Sequence, residues 1–74
     1  ITNSKYFFPG SPRGGISVFA DGTAKGVTET GLLYPLQNAV VRSAFPIGVS
    51  NEFTSVPASV EVKNGTLLIF WDRQ

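Results

Sequence analysis

The sequence predicts an all-β domain: a small barrel or sandwich of five to seven short antiparallel strands with a C-terminal hairpin. Three observations carry that prediction. Eight glycines and five prolines divide 74 residues into segments too short for stable helices. Between these breaks the chain is rich in Val, Ile, Phe and Thr, which suit a pleated, half-buried surface. Near the C-terminus, two alternating segments flank Asn64-Gly65, a strong hairpin signal because a type I′ turn needs positive φ at both central residues.

Taken in order, residues 5–8 read as a short strand ended by Pro9. Residues 9–15 contain two prolines and three glycines and read as an irregular loop holding Arg13, Gly14 and Gly15. Residues 16–20 and 23–27 read as a hairpin about Asp21-Gly22, with Ala20 opposite Thr23 and Ile16 opposite Val27. Gly26 weakens its second strand and marks a bulge. Residues 32–34 read as a strand that Pro35 interrupts.

Residues 37–45 hold no Gly or Pro. They suit two helical turns with Leu36, Val40 and Val41 on one side. They also suit a strand with Ala39, Val41, Ser43 and Phe45 on one face, and the β-branched pair favours the strand. Pro46 ends the segment, and residues 47–49 are a short apolar stretch. Ser50-Asn51-Glu52 reads as a turn before a strand at residues 53–56, and Pro57 makes a kink or an edge before the last hairpin.

A two-residue loop at Asn64-Gly65 sets the expected register: Lys63 opposite Thr66, Val62 opposite Leu67, Val60 opposite Ile69, and Ala58 opposite Trp71. Period two then places Val60, Val62, Leu67, Ile69 and Trp71 on a core face. Leu68 and Phe70 fall on the opposite face, where a solvated sheet would carry polar residues. Adjacent aromatics such as Phe7 with Phe8, and Phe70 with Trp71, point to opposite sides, so one member of each pair needs a second cover.

Composition excludes several functions. The chain has no cysteine and no histidine, so it offers neither disulfides nor a Cys/His zinc site. A Ser-His-Asp or Cys-His arrangement is likewise unavailable within it. A net charge of +1 gives no electrostatic footprint for nucleic acid. The longest apolar run, residues 67–71, is far short of the ~20 residues of a membrane span. No charged-then-apolar signal peptide opens the chain. The start at Ile1, without an initiator methionine, is expected to reflect cleavage or excision from a longer precursor.

The remaining motifs are weak. The loop at residues 9–15 carries an Arg among glycines, as phosphate-cradling loops do, yet it lacks P-loop and dinucleotide spacing. Gly14 and Gly15 suit close approach of two chains. Asn64-Gly65-Thr66 matches a glycosylation sequon that turn geometry already explains. Among the carboxylates Asp21, Glu29, Glu52, Glu61 and Asp72, no pair stands apart as acid and base.

These readings converge on one expectation. A single domain over residues 1–74, small and without staples, is expected to be a non-catalytic assembly module and not an enzyme. It would form homo-oligomers or dock on a larger particle, for example as a virion accessory or fibre protein, in an extracellular or virion setting. Tyr6, Phe8, Leu68, Phe70 and Trp71 are the expected contact residues, with no cofactor and no metal. The alternative is an extracellular carbohydrate-binding module that stacks a sugar on Trp71 or Tyr34.

Overall fold

Six strands and no helix make up the computed structural model, which describes residues 1–44 and 50–72. The strands are β1 (Lys5–Phe7), β2 (Gly15–Thr30), β3 (Leu36–Arg42), β4 (Asn51–Glu52), β5 (Ser59–Glu61) and β6 (Asn64–Trp71). All pairings are antiparallel, so the all-β expectation holds.

The organising element is β2, which is 16 residues long. Its first part pairs with β4 and β6, with Val18 opposite Ile69 and Ala20 opposite Leu67. Its second part pairs with β3 and β5, and β1 lies beyond β5. The strand can serve both sets of partners because bulges bend it. Three β2 residues, 22–24, stand against the single residue Gly65 between the pairs Asp21–Thr66 and Lys25–Asn64. Opposite β3, Lys25 and Gly26 stand against Val40 alone, and Gly26 takes a φ of +65°. Extra residues of this kind sharpen the local bend and twist of a strand.

This corrects the expected hairpin at Asp21-Gly22. The chain does not turn back there. Gly22 has the positive φ that a turn would use, but it uses it inside a continuous strand. The bulge expected at Gly26 is present. The strand reading of the middle segment holds over Leu36–Arg42, with Ala39 half-buried and Val41 buried, while Ser43 is exposed in a turn. Phe45 and residues 47–49 lie outside the described residues. The expected strand at residues 53–56 is not formed; a single bridge joins Leu32 to Phe53.

Across Asn64-Gly65 the chain keeps its direction: β5 and β6 follow one another along β2, both antiparallel to it, and the register expected between residues 58–63 and 66–71 is not formed. β5 pairs with β1 and with Thr28–Thr30 of β2, whereas β6 pairs with the earlier part of β2. The bulged stretch of β2 holds the connection between them: the Lys63 N–H donates to the Lys25 and Gly26 carbonyls at 3.2 and 3.3 Å. The face assignment survives this change of partner. Val60, Val62 and Leu67 are buried, Ile69 and Trp71 pack against them, and Leu68 and Phe70 are exposed.

One apolar cluster joins both parts of the sheet. Ile16, Val18 and Ala20 enter it from the first part of β2, Ala24 and Val27 from the second, and Val41, Val60 and Leu67 from β3, β5 and β6. Burying side chains of this size contributes about 1.5–3 kcal/mol each for the larger ones, before the cost of ordering the chain.

Candidate functional site

The loops following β2 and preceding β5 meet at one end of the sheet, and Asn51 is where they join. The Leu33 N–H donates to the Glu52 carbonyl at 2.8 Å, and the Thr54 N–H donates to the Gly31 carbonyl at 2.8 Å. The Phe53 N–H reaches a third segment, the Gly14 carbonyl, at 3.1 Å. Gly31 is required at this junction. Its φ is +73°, and a Cβ there would stand 2.5 Å from the Ser55 carbonyl oxygen.

The Asn51 side chain is buried and uses all of its hydrogen-bonding capacity. Oδ1 accepts from the Tyr34 N–H at 2.9 Å and from the Glu52 N–H at 3.0 Å. Nδ2 donates to the Tyr34 carbonyl at 2.8 Å and to Glu29 Oε1 at 3.4 Å. Two donors and two acceptors are the full inventory of an amide side chain, so its orientation is fixed. The peptide groups on both sides of the Tyr34 Cα are thereby held, while the Tyr34 side chain remains 63% exposed. An aromatic ring presented to solvent from a clamped backbone can offer its face to a flat ligand.

Glu29 lies beneath that clamp. It follows Val27 on the inward face of β2 and is only 2% exposed, and its Oε2 has no hydrogen-bond partner. Burial raises its pKa from 4.5 to about 7, with the Asn51 hydrogen bond pulling the other way. Beside it a cleft of about 530 Å³ is lined by Thr28, Thr30, Leu32, Pro35, Gln37 and Thr54, among others. Among the described residues no group of three or more acidic or histidine side chains is placed to hold a metal ion.

The residues expected to make contacts separate into two groups. Tyr6, Phe8 and Trp71 come together inside the chain. The Phe8 ring lies 5.0 Å from both Tyr6 and Trp71, edge to face, and 5.0 Å from Phe53. Leu68 and Phe70 lie on the outward face, where Phe70 meets Phe19 edge to face at 5.9 Å. Arg13 and Gly14 are in the loop before β2, and Gly15 begins that strand. Tyr34, weighed from sequence as a stacking residue, is the aromatic that the Asn51 clamp presents.

Sequence reasoning singled out neither Glu29 nor Asn51. Glu29 does share the inward register of Val27, and a carboxylate in that register is a signal. Asn51 gives none, because its partners lie 17 and 22 positions away.

The family model of the thiamin pyrophosphokinase vitamin B1 binding domain matches residues 7–67. The chain belongs to this family. The matched span runs from the end of β1 into β6 and includes Glu29, Tyr34 and Asn51. No curated protein and no solved structure matches the chain.

Membership in the vitamin B1 binding family overturns the expected function. The chain is neither a virion or fibre module nor a carbohydrate-binding module, and the statement that it has no enzymatic role gives way to a place in an enzyme family. The error has a physical origin. Small size, low charge and spare apolar surface describe how a domain is packed, not what it binds.

Proposed function

We propose that this chain is the thiamin-holding domain of a thiamin pyrophosphokinase. The observation that carries the reading is the clamped, exposed Tyr34 within a chain of the vitamin B1 binding family. Thiamin joins a flat aminopyrimidine to a cationic thiazolium ring. The face of a tyrosine ring attracts such a cation, by ~0.5–2 kcal/mol, and offers stacking area to either heterocycle. The clamp adds to affinity by removing motions that binding would otherwise have to freeze.

In this reading the domain orients the vitamin so that its hydroxyethyl group is presented to the pyrophosphoryl donor. Residues 9–15 lack nucleotide-binding spacing, and the groups that handle the donor are assigned to protein outside this site. Catalysis then gains from positioning, since a held hydroxyl near the donor phosphorus replaces a bimolecular encounter.

Calorimetric titration with thiamin tests the proposal. Saturable binding that survives in Tyr34→Trp and is weakened in Tyr34→Ala supports it. Equal binding of thiamin by Tyr34→Ala, with an unchanged melting temperature, would refute the platform.

A further inference from the structure

Residues 1–7 run antiparallel along residues 59–67 and cover the outer side of β5 and of the start of β6. Phe7 pairs with Ser59 and Lys5 with Glu61. Further on, the Asn3 N–H donates to the Gly65 carbonyl at 3.0 Å, and Ile1 and Leu67 exchange bonds of 2.8 Å in both directions. There the cover stops. β6 continues to Trp71 with β2 on one side only.

Strand alternation decides which groups are left open. The Leu67 N–H and carbonyl point away from β2, toward Ile1, so those of Ile69 and Trp71 point the same way. Among the described residues nothing bonds to them. Exposed edges are usually blunted by a charge, a proline or a bulge. Leu68-Ile69-Phe70-Trp71 has none of the three. Beside this edge a cleft of about 290 Å³ is lined by Ile1, Tyr6, Leu67, Leu68, Ile69 and Trp71.

We propose that β6 of a second copy occupies this edge, in a two-fold dimer that joins the two sheets through residues 68–72. The strand is complementary to itself. The two open positions are two residues apart, so Ile69 of each copy pairs with Trp71 of the other, and each pair exchanges bonds in both directions. Phe70 then lies on the axis opposite its own copy, at the closely spaced kind of pair where side chains meet. Asp72 falls opposite Leu68, so no like charges face each other. The lane ends where Ile1 sits, which limits the contact to these few residues. The apolar area on the outward face is also small. The exposed parts of Phe19 and Phe70 amount to about 200 Å² per copy, if a whole aromatic side chain is ~200 Å². A stable interface takes ~800 Å² from each partner, so this dimer is weak and forms only at high concentration.

Light scattering over a concentration series, with amide hydrogen exchange read by NMR on the same samples, tests the proposal. Over a ~100-fold rise in concentration the mass should climb from 7.9 kDa towards twice that value. Exchange at Ile69 and Trp71 should slow in step with it, while Leu68 and Phe70, whose amides already face β2, should change little. Phe70→Lys sets two like charges opposite each other and should stay a single chain with a near wild-type melting temperature. The mass of one chain at every concentration would overturn the inference, as would undiminished association of a folded Phe70→Lys. So would a dimer that leaves exchange at Ile69 and Trp71 unmoved, because the copies then meet through another surface. Slow exchange at both amides while the mass is that of one chain would also overturn it, since the edge is then covered from within the molecule. If Phe70→Lys does not fold, the wild-type exchange data decide.

Discussion

The side chain of Asn51 grips Tyr34 from both sides, accepting from its N–H at 2.9 Å and donating to its carbonyl at 2.8 Å. With one side chain this pairing replaces a short β-bridge. It fixes a loop residue whose ring stays in solvent, and it joins a loop after β2 to the residues of β4.

Removing the clamp should cost stability as well as order. Asn51→Ala leaves the Tyr34 N–H and carbonyl and the Glu52 N–H without their partner. Each such group in a part-buried setting costs ~1–3 kcal/mol, offset where water reaches it. A loss of roughly 2–4 kcal/mol is expected in urea denaturation. Asn51→Asp should be worse at neutral pH than at pH 4.5, because it sets a second carboxylate against Glu29 and an acceptor against the Tyr34 carbonyl.

Glu29 gives the fold an acid-side stability optimum. Its pKa in the folded chain, about 7, lies above the ordinary 4.5, so the folded state binds the proton more tightly than the unfolded state. The stabilisation is fully present below pH 4.5 and is lost as the pH rises through 7, with no further change beyond. Each pH unit between those two values is worth ~1.4 kcal/mol, so the whole effect is about 3 kcal/mol. Urea midpoints of wild-type and Glu29→Gln across pH 4.5–8.5 check this. The difference between the two proteins should change only within the window from 4.5 to 7.

Gly31 and Gly10 share a positive φ, +73° and +66°, but not their surroundings. A Cβ on Gly31 would meet the Ser55 oxygen at 2.5 Å and the Ala58 Cα at 2.9 Å, whereas nothing lies within 4 Å of one on Gly10. Gly10→Ala should therefore cost only the ~1–2 kcal/mol of the left-handed backbone. Gly31→Ala should cost more than that, because the backbone on the other side of the junction must move. Thermal melts of the two variants, compared directly, decide the order.

Much of this architecture was legible from residue pattern. The alternation of Leu67, Ile69 and Trp71 against Leu68 and Phe70 assigned the two faces of β6 correctly, because a period of two does not depend on which strand lies alongside. Pairing was less legible. Asp21-Gly22 carries the chemistry of a hairpin turn and of a bulge alike, and only the reach of β2 to β6 on one side and to β3 on the other selects the bulge. The site was the least legible part. The Glu29–Asn51–Tyr34 connection is made by folding, and no local spacing encodes a side chain that bonds 17 and 22 positions away.

The most direct measurement is the thiamin affinity of three proteins, wild-type, Tyr34→Trp and Tyr34→Ala, by calorimetry at pH 6. Loss of the ring should weaken binding by ~2- to 30-fold in Tyr34→Ala, the equivalent of ~0.5–2 kcal/mol at ~1.4 kcal/mol per decade, and should spare Tyr34→Trp. Thermal melts of all three should agree, since the ring is 63% exposed and makes little of the core. Undiminished affinity in a well-folded Tyr34→Ala would contradict the central claim that this clamped tyrosine is the surface on which the vitamin rests.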